Sequence, residues 1–176
     1  LAKVLRCYKC TPAAAVANRY VTSTNMINGA YTIANSGLPG DGLAHNVTIT
    51  HTTVVTTDTL GTVLITGIDL DGRTITETIT PTADSLVNGT KAFKQVLSAV
   101  GSGWTIAGSN DTIVMGFGNL QGFPECLALT ADVLGVILGT ATLNAPTVTV
   151  DTSVLSKNTI TATGNGTNVL TVFYQI

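Results

Sequence analysis

Thr62-Val63-Leu64-Ile65-Thr66-Gly67-Ile68-Asp69-Leu70-Asp71-Gly72-Arg73-Thr74-Ile75-Thr76-Glu77-Thr78-Ile79-Thr80 is the stretch that decides the fold class. Two runs rich in β-branched residues, Thr62 to Leu70 and Arg73 to Thr80, flank Asp71-Gly72. Branching at Cβ suits the pleated surface of a sheet, and Asp-Gly supplies the positive φ angles of a two-residue type I′ turn. The pattern predicts a β-hairpin pairing Leu70 with Arg73, Ile68 with Ile75, Thr66 with Glu77 and Leu64 with Ile79. That side is mostly apolar. The other sets Thr74, Thr76, Thr78 and Thr80 against Asp69, Gly67, Ile65 and Val63. A one-residue slip would exchange the sides. Glu77 falls between Ile75 and Ile79, where a carboxylate is costly unless paired. An ion pair with Lys91, Lys94 or Arg73 is therefore expected.

Outward from the hairpin, the strand signal continues. Val47 to Thr50 alternates and Thr53 to Thr57 stays β-branched. Lys91 to Val100 reads two ways. Phe93, Val96, Leu97 and Val100 have helical spacing, but the segment is short and ends at Gly101-Ser102-Gly103, so a helical turn or a bent strand is predicted. Trp104 to Ile106 and Thr112 to Phe117 read as a hairpin turning through Gly108-Ser109-Asn110-Asp111, with Gly116, Gly118, Gly122 and Pro124 ending it in a loop. Short strands follow at 127–129, 133–138, 147–151, 158–163 and 168–174. Strands at this spacing argue an all-β sandwich or barrel, jelly-roll-like, over 46–176. Residues 1–45 read as an extended N-terminal arm with one or two strands or a short helix, closed by the loop signal Asn35 to Gly42.

Composition narrows the function. Of 176 residues 44% are apolar, which argues against disorder, and only 10% are charged. Thr fills the gap, with 32 copies. A Thr-coated surface depends little on charge and suits a chain packed against neighbours in an assembly. Net charge is −2, and the basic residues cluster only at Lys3, Arg6 and Lys9, so nucleic-acid binding is not expected. No apolar run reaches the roughly 18 residues of a membrane span. The opening residues lack the apolar stretch of a signal peptide, and the absence of an initial Met suggests numbering that starts after processing.

Cys7 and Cys10 form a lone CxxC, with Cys126 far away and His45 and His51 not spaced as a partner pair. A structural zinc site needs a second such pair, so reduced thiols in a cytoplasm are expected. Asp69-Leu70-Asp71-Gly72 suggests calcium, but an EF-hand frame puts Gly67 and Thr78 where ligands belong. The Asn-x-Thr matches at Asn46, Asn88, Asn110 and Asn165 are what a Thr-rich chain produces by chance. No nucleophile elbow or phosphate-binding glycine pattern occurs. No catalytic, cofactor-binding or metal-binding residue is assigned, and an enzyme is not expected.

One stretch goes beyond composition. Thr59 to Ile79, with Asp69-Leu70-Asp71-Gly72-Arg73-Thr74-Ile75-Thr76-Glu77-Thr78-Ile79 at its centre, resembles a segment of tailed-bacteriophage virion proteins. There the pattern runs roughly TGTDADGxxITETIT and is followed by a Gly-Thr-Lys-Ala-Phe block, here Gly89 to Phe93. Gly103 to Ile106, Asn110 to Ile113 and Gly116-Phe117-Gly118 look similar to the same proteins. The resemblance spans roughly 59–124 and implies a phage structural protein of the capsid decoration (cement) type, with no catalytic residues. It implies the major capsid protein as partner, a place on the capsid surface after synthesis in the host cytoplasm, and a homo-oligomer. A trimer is favoured because it suits local three-fold positions on the shell. The alternatives are a tail or head-fibre component and a carbohydrate-binding β-sandwich, for which aromatics are scarce at 5% and only Trp104 is of the best stacking kind.

Overall fold

The computed structural model describes residues 3–107, 109–142 and 147–176. The chain is all-β, of the sandwich-or-barrel kind, built from several antiparallel sheets with a curled half-barrel. In chain order the strands are β1 Leu5–Cys10, β2 Val16–Asn25, β3 Gly29–Ala30, β4 His45–Thr52, β5 Thr62–Ile68, β6 Thr74–Ile79, β7 Leu86–Phe93, β8 Gln95–Ser102, β9 Thr112–Gly122, β10 Val133–Leu138, β11 Ala141–Thr142, β12 Val148–Thr149, β13 Thr159–Thr161 and β14 Leu170–Gln175. They form three sheets, ordered β3-β8-β5-β6, β12-β13-β9-β4-β7 and β1-β14-β10-β11, and β2 pairs with β9 beside the second path.

The inner faces of the first two sheets bury one core, in which Val63, Ile65, Val96 and Ala99 meet Val47, Ile49, Met115 and Phe117. Tyr20, Val21 and Met26, from the first 45 residues, belong to it. A second core gathers Phe123, Leu127, Val136, Ile160, Leu170, Val172 and Tyr174, with Tyr8 and Cys10 packed against it. Phe123 stands edge-on to Tyr174 and Tyr8, with centroids 4.7 and 5.7 Å apart.

The hairpin forms, but one residue out of the predicted register. Ile68 pairs with Thr74, Gly67 with Ile75, Ile65 with Glu77 and Val63 with Ile79. Asp69 is the cause. Its Oδ1 accepts the amides of Asp71 (3.0 Å) and Arg73 (2.9 Å), while the Gly72 amide reaches the Asp69 carbonyl at 3.1 Å. The result is a turn over 69–72 closed by Gly72 at φ +78°, a three-residue loop in place of the type I′ pair. Val63 and Ile65 are buried and face Ile79 and Glu77, while Leu64 is 42% exposed opposite Thr78. The Thr side of β6 does face outward, but Leu64 and Ile68 go with it.

Of the two readings of Lys91–Val100 the strand holds and the helical turn does not: the segment is strand throughout, broken only at Lys94. Helical spacing misleads because a bulge in the β5–β8 ladder breaks its alternation, leaving Leu97 52% exposed. Thr53 to Thr57 leaves the sheet, since the Asp111 carboxylate takes the amides of Val54 (2.6 Å) and Val55 (2.9 Å). Trp104–Ile106 does not pair with β9. Thr105 bridges Thr59 instead, and Asp58 holds the amides of Ala107 (2.8 Å) and Asp111 (3.1 Å). Of the turn predicted there, Gly108 lies outside the described residues. Gly116 and Gly118 lie inside β9 rather than ending it, because a Cβ on Gly116 would fall 1.8 Å from the Val16 carbonyl. Residues 127–129 are loop, with the Leu127 amide on Asn158 Oδ1 at 3.0 Å.

Candidate interaction surface

The register shift determines what the β3-β8-β5-β6 sheet presents to solvent. Its outer rows set Leu64 between Thr78 and Val100, Thr66 between Thr76 and Ser98, and Ile68 between Thr74 and Gln95. Thr62 lies opposite Ser102. None of these residues is ionisable. An ordinary solvent-facing surface carries charge on about a quarter to a third of its residues, so about three charges are missing here. Leu64, Leu97 and Val100 are 36–52% exposed and form an aliphatic centre. Hydroxyls of Thr and Ser surround it. The ion pair of Asp71 with Arg73 sits beyond the strands, at the turn.

Among the described residues Glu77 is in no ion pair. Its Oε1 accepts the Thr90 amide at 2.7 Å and the Thr90 hydroxyl at 2.8 Å, and Oε2 accepts the Lys91 amide at 3.4 Å. These amides lie where the β4–β7 ladder is bulged, so the carboxylate satisfies donors the ladder leaves free. The Lys91 ammonium donates instead to the Thr76 carbonyl at 2.6 Å, and Lys94 donates to the Gly42 carbonyl. Of the expected partners Lys91 lies beside Glu77, but through its backbone amide, and Glu77 acts as a clasp between β6 and β7.

A cleft of about 470 Å³ opens on another face, lined by Asn46, Asn88, Asn119, Leu86, Ala15 and Thr161 among others. Asn46 is buried, donates to Asn88 Oδ1 (3.2 Å) and the Gly89 carbonyl (3.2 Å), and accepts the Leu120 amide (3.2 Å). Trp104 is 4% exposed and packed in the first core, so it offers no platform on which a sugar ring could stack.

The remaining candidates serve the fold. Cys7 and Cys10 lie on one strand, where a spacing of three puts the side chains on opposite faces. Cys7 is exposed while Cys10 packs toward the second core. Among the described residues no group of three or more His, Cys, Asp or Glu could hold a metal ion, and no helix is long and apolar enough to cross a membrane. His45 and His51 are buried, each against a carboxylate. His45 Nε2 meets Asp41 Oδ2 at 2.7 Å and its Nδ1 faces the Gly118 carbonyl at 3.1 Å. Burial would raise the Asp41 carboxyl, but the His45 bond and the amides of Ala13 and Leu43 outweigh it and hold it down to about 2. His51 Nε2 meets Asp111 Oδ2 at 3.1 Å. There too burial is outweighed, by the Val55 and Val54 amides and His51, and the Asp111 carboxyl lies below its ordinary range. These two pairs were missed in the sequence because each joins residues by folding. Only the four-residue spacing of Asp41 and His45 offered a signal.

No family model, curated protein or solved structure matches the chain. The geometry of the outer sheet face and the resemblance of its hairpin therefore carry the functional argument.

Proposed function

We propose that this chain is a structural protein of a tailed-phage virion, of the capsid decoration type, which binds the outside of the shell and bridges capsid subunits. The observation that supports it is the uncharged outer face of the β3-β8-β5-β6 sheet. Burying a charge against a partner is costly unless it is matched, and buried interface centres are depleted of charge. A face of Thr, Ser and aliphatic residues avoids that penalty. The hairpin that builds half of this face belongs to the stretch, roughly 59–124, that resembles phage virion proteins.

The test is electron microscopy of particles assembled with and without the chain, together with the double variant Leu64→Glu/Leu97→Glu. Both positions are exposed, so the variant should fold and yet fail to join particles. Shell density unchanged by omitting the chain would overturn the reading. Density on the tail or at a vertex would favour the fibre alternative. The sugar-binding alternative could draw on the amide-lined cleft, but Trp104 is buried, and a glycan array with no hits would remove it.

A further inference from the structure

The β1-β14-β10-β11 sheet ends on a strand with an open edge. Among the described residues β1 has β14 as its one ladder partner. Val4 and Ile176 exchange both backbone bonds, at 2.7 and 3.1 Å. Antiparallel pairs alternate between bonded and non-bonded positions, so in the register Arg6–Tyr174, Tyr8–Val172 and Cys10–Leu170 the residues 6, 8 and 10 also bond toward β14. Leu5, Cys7 and Lys9 then aim their N–H and C=O groups away from the sheet. All three are exposed, Leu5 at 66%.

An unguarded edge is a template for another strand, and among the described residues the other sheets end in short or clasped strands. β3, β11 and β12 have two residues each. β6 and β7 clasp each other through Glu77, which accepts the Thr90 and Lys91 amides, and Lys91, whose ammonium donates to the Thr76 carbonyl. On β2, the Arg19 and Tyr20 carbonyls accept from Asn35 Nδ2 and the Ala34 amide at 2.7 Å. On β1 and just before it, basic residues that would guard an edge are drawn aside. Arg6 reaches Glu125 at 2.7 Å and Lys3 reaches Asp132. Lys9 alone is left.

We infer that β1 pairs antiparallel with β1 of a second copy of this chain, about a two-fold axis at Cys7. Bonding requires odd positions to face odd positions. Centring on Cys7 uses all three outward residues, sets Leu5 opposite the partner's Lys9 and keeps the two Lys9 side chains apart. Centring on Lys9 would set like charges directly opposite, which is destabilising. The pairing makes one continuous eight-stranded sheet from two four-stranded ones, and the two-fold contact is self-complementary. It goes beyond the virion reading and does not rest on it.

Bonded antiparallel positions sit about 5.5 Å apart at Cα, within the span of a disulfide. The test uses the full chain carrying Cys126→Ser. Sedimentation over a concentration series should show a monomer–dimer equilibrium, and diamide should trap the dimer through Cys7, identified by mass spectrometry of the linked peptide. Leu5→Lys sets Lys opposite Lys at both ends of the pair and should weaken dimerisation at least tenfold, with an unchanged circular dichroism spectrum. Cys7→Ser should abolish trapping while leaving the dimer. A monomer at every concentration, a trimer, a dimer that diamide does not link through Cys7, or a dimer indifferent to Leu5→Lys would each overturn the inference.

Discussion

Asp69 decides which hairpin side chains are buried by bonding the backbone of its own turn. Its carboxylate is 3% exposed and bonds the amides of Asp71 and Arg73. Asp69→Ala leaves those donors without their acceptor, which costs about 1–3 kcal/mol. Asp69→Asn keeps an acceptor oxygen and should lose less, and urea unfolding of the two variants checks the order. At Gly89 the limit is space. A Cβ there would meet Glu77 Oε2 at 2.6 Å and the Val47 carbonyl at 3.0 Å. Gly89→Ala should therefore break the β6–β7 clasp, read as faster amide exchange at Thr90 and Lys91. Asp41 sets an acid limit on stability. Its carboxyl is held to about 2, below the ordinary 3.8, so the folded state binds that proton less readily than the unfolded chain. The stabilisation is complete above about pH 4 and is lost as pH falls through about 2. It amounts to about 2 kcal/mol. Unfolding free energy measured between pH 5 and pH 2 should fall by that much more in the wild type than in Asp41→Asn.

At the scale of the strand, register turns chemically similar neighbours into opposite cases. Ile65 is fully buried and Leu64 is 42% exposed. Ile65→Ala should cost about 2–5 kcal/mol, while Leu64→Ala should fall within about 0.5 kcal/mol of wild type. The reverse order in thermal unfolding would restore the register that Asp-Gly predicts. The existence of the hairpin was legible because β-branched alternation and a Gly turn are local signals. Its register was not, because a two-residue and a three-residue loop differ only by whether the Asp69 side chain folds onto its own turn. Glu77 was legible as an anomaly that needs a partner. That the partner is a pair of backbone amides on β7 was not, since a bulge leaves no mark in composition. Lys91–Val100 shows the same limit, where a bulge at Leu97 imitates helical spacing. The candidate face was half legible. The outward Thr row of β6 follows from alternation in any register, whereas Leu64 and Ile68 join it only through the slip.

For the whole molecule the question is whether the two cores are one cooperative unit. β9 argues that they are. Its residues Thr112 to Phe117 pair with β2 and carry Ile113, Met115 and Phe117 into the first core. Its residues Leu120 to Gly122 pair with β13, and the next residue, Phe123, fills the second core. β4 spans both halves, from His45 opposite Gln121 to Thr52 opposite Thr112. Loosening the second core thus frays the strand at the centre of the first. Phe123→Ala removes a ring that is 2% exposed and edge-on to Tyr8 and Tyr174, at about 3–5 kcal/mol. For a chain of this size a loss of about 3 kcal/mol lowers the melting temperature by roughly 6–12 °C. Trp104, the sole Trp, lies in the first core and reports there. Its fluorescence transition should shift down by the same amount as the far-ultraviolet circular dichroism transition, with coincident midpoints. A Trp104 transition left in place while the dichroism splits in two would mean that β9 does not couple the cores, and that the ends of the chain, joined through β1 and β14, fold as a separate unit.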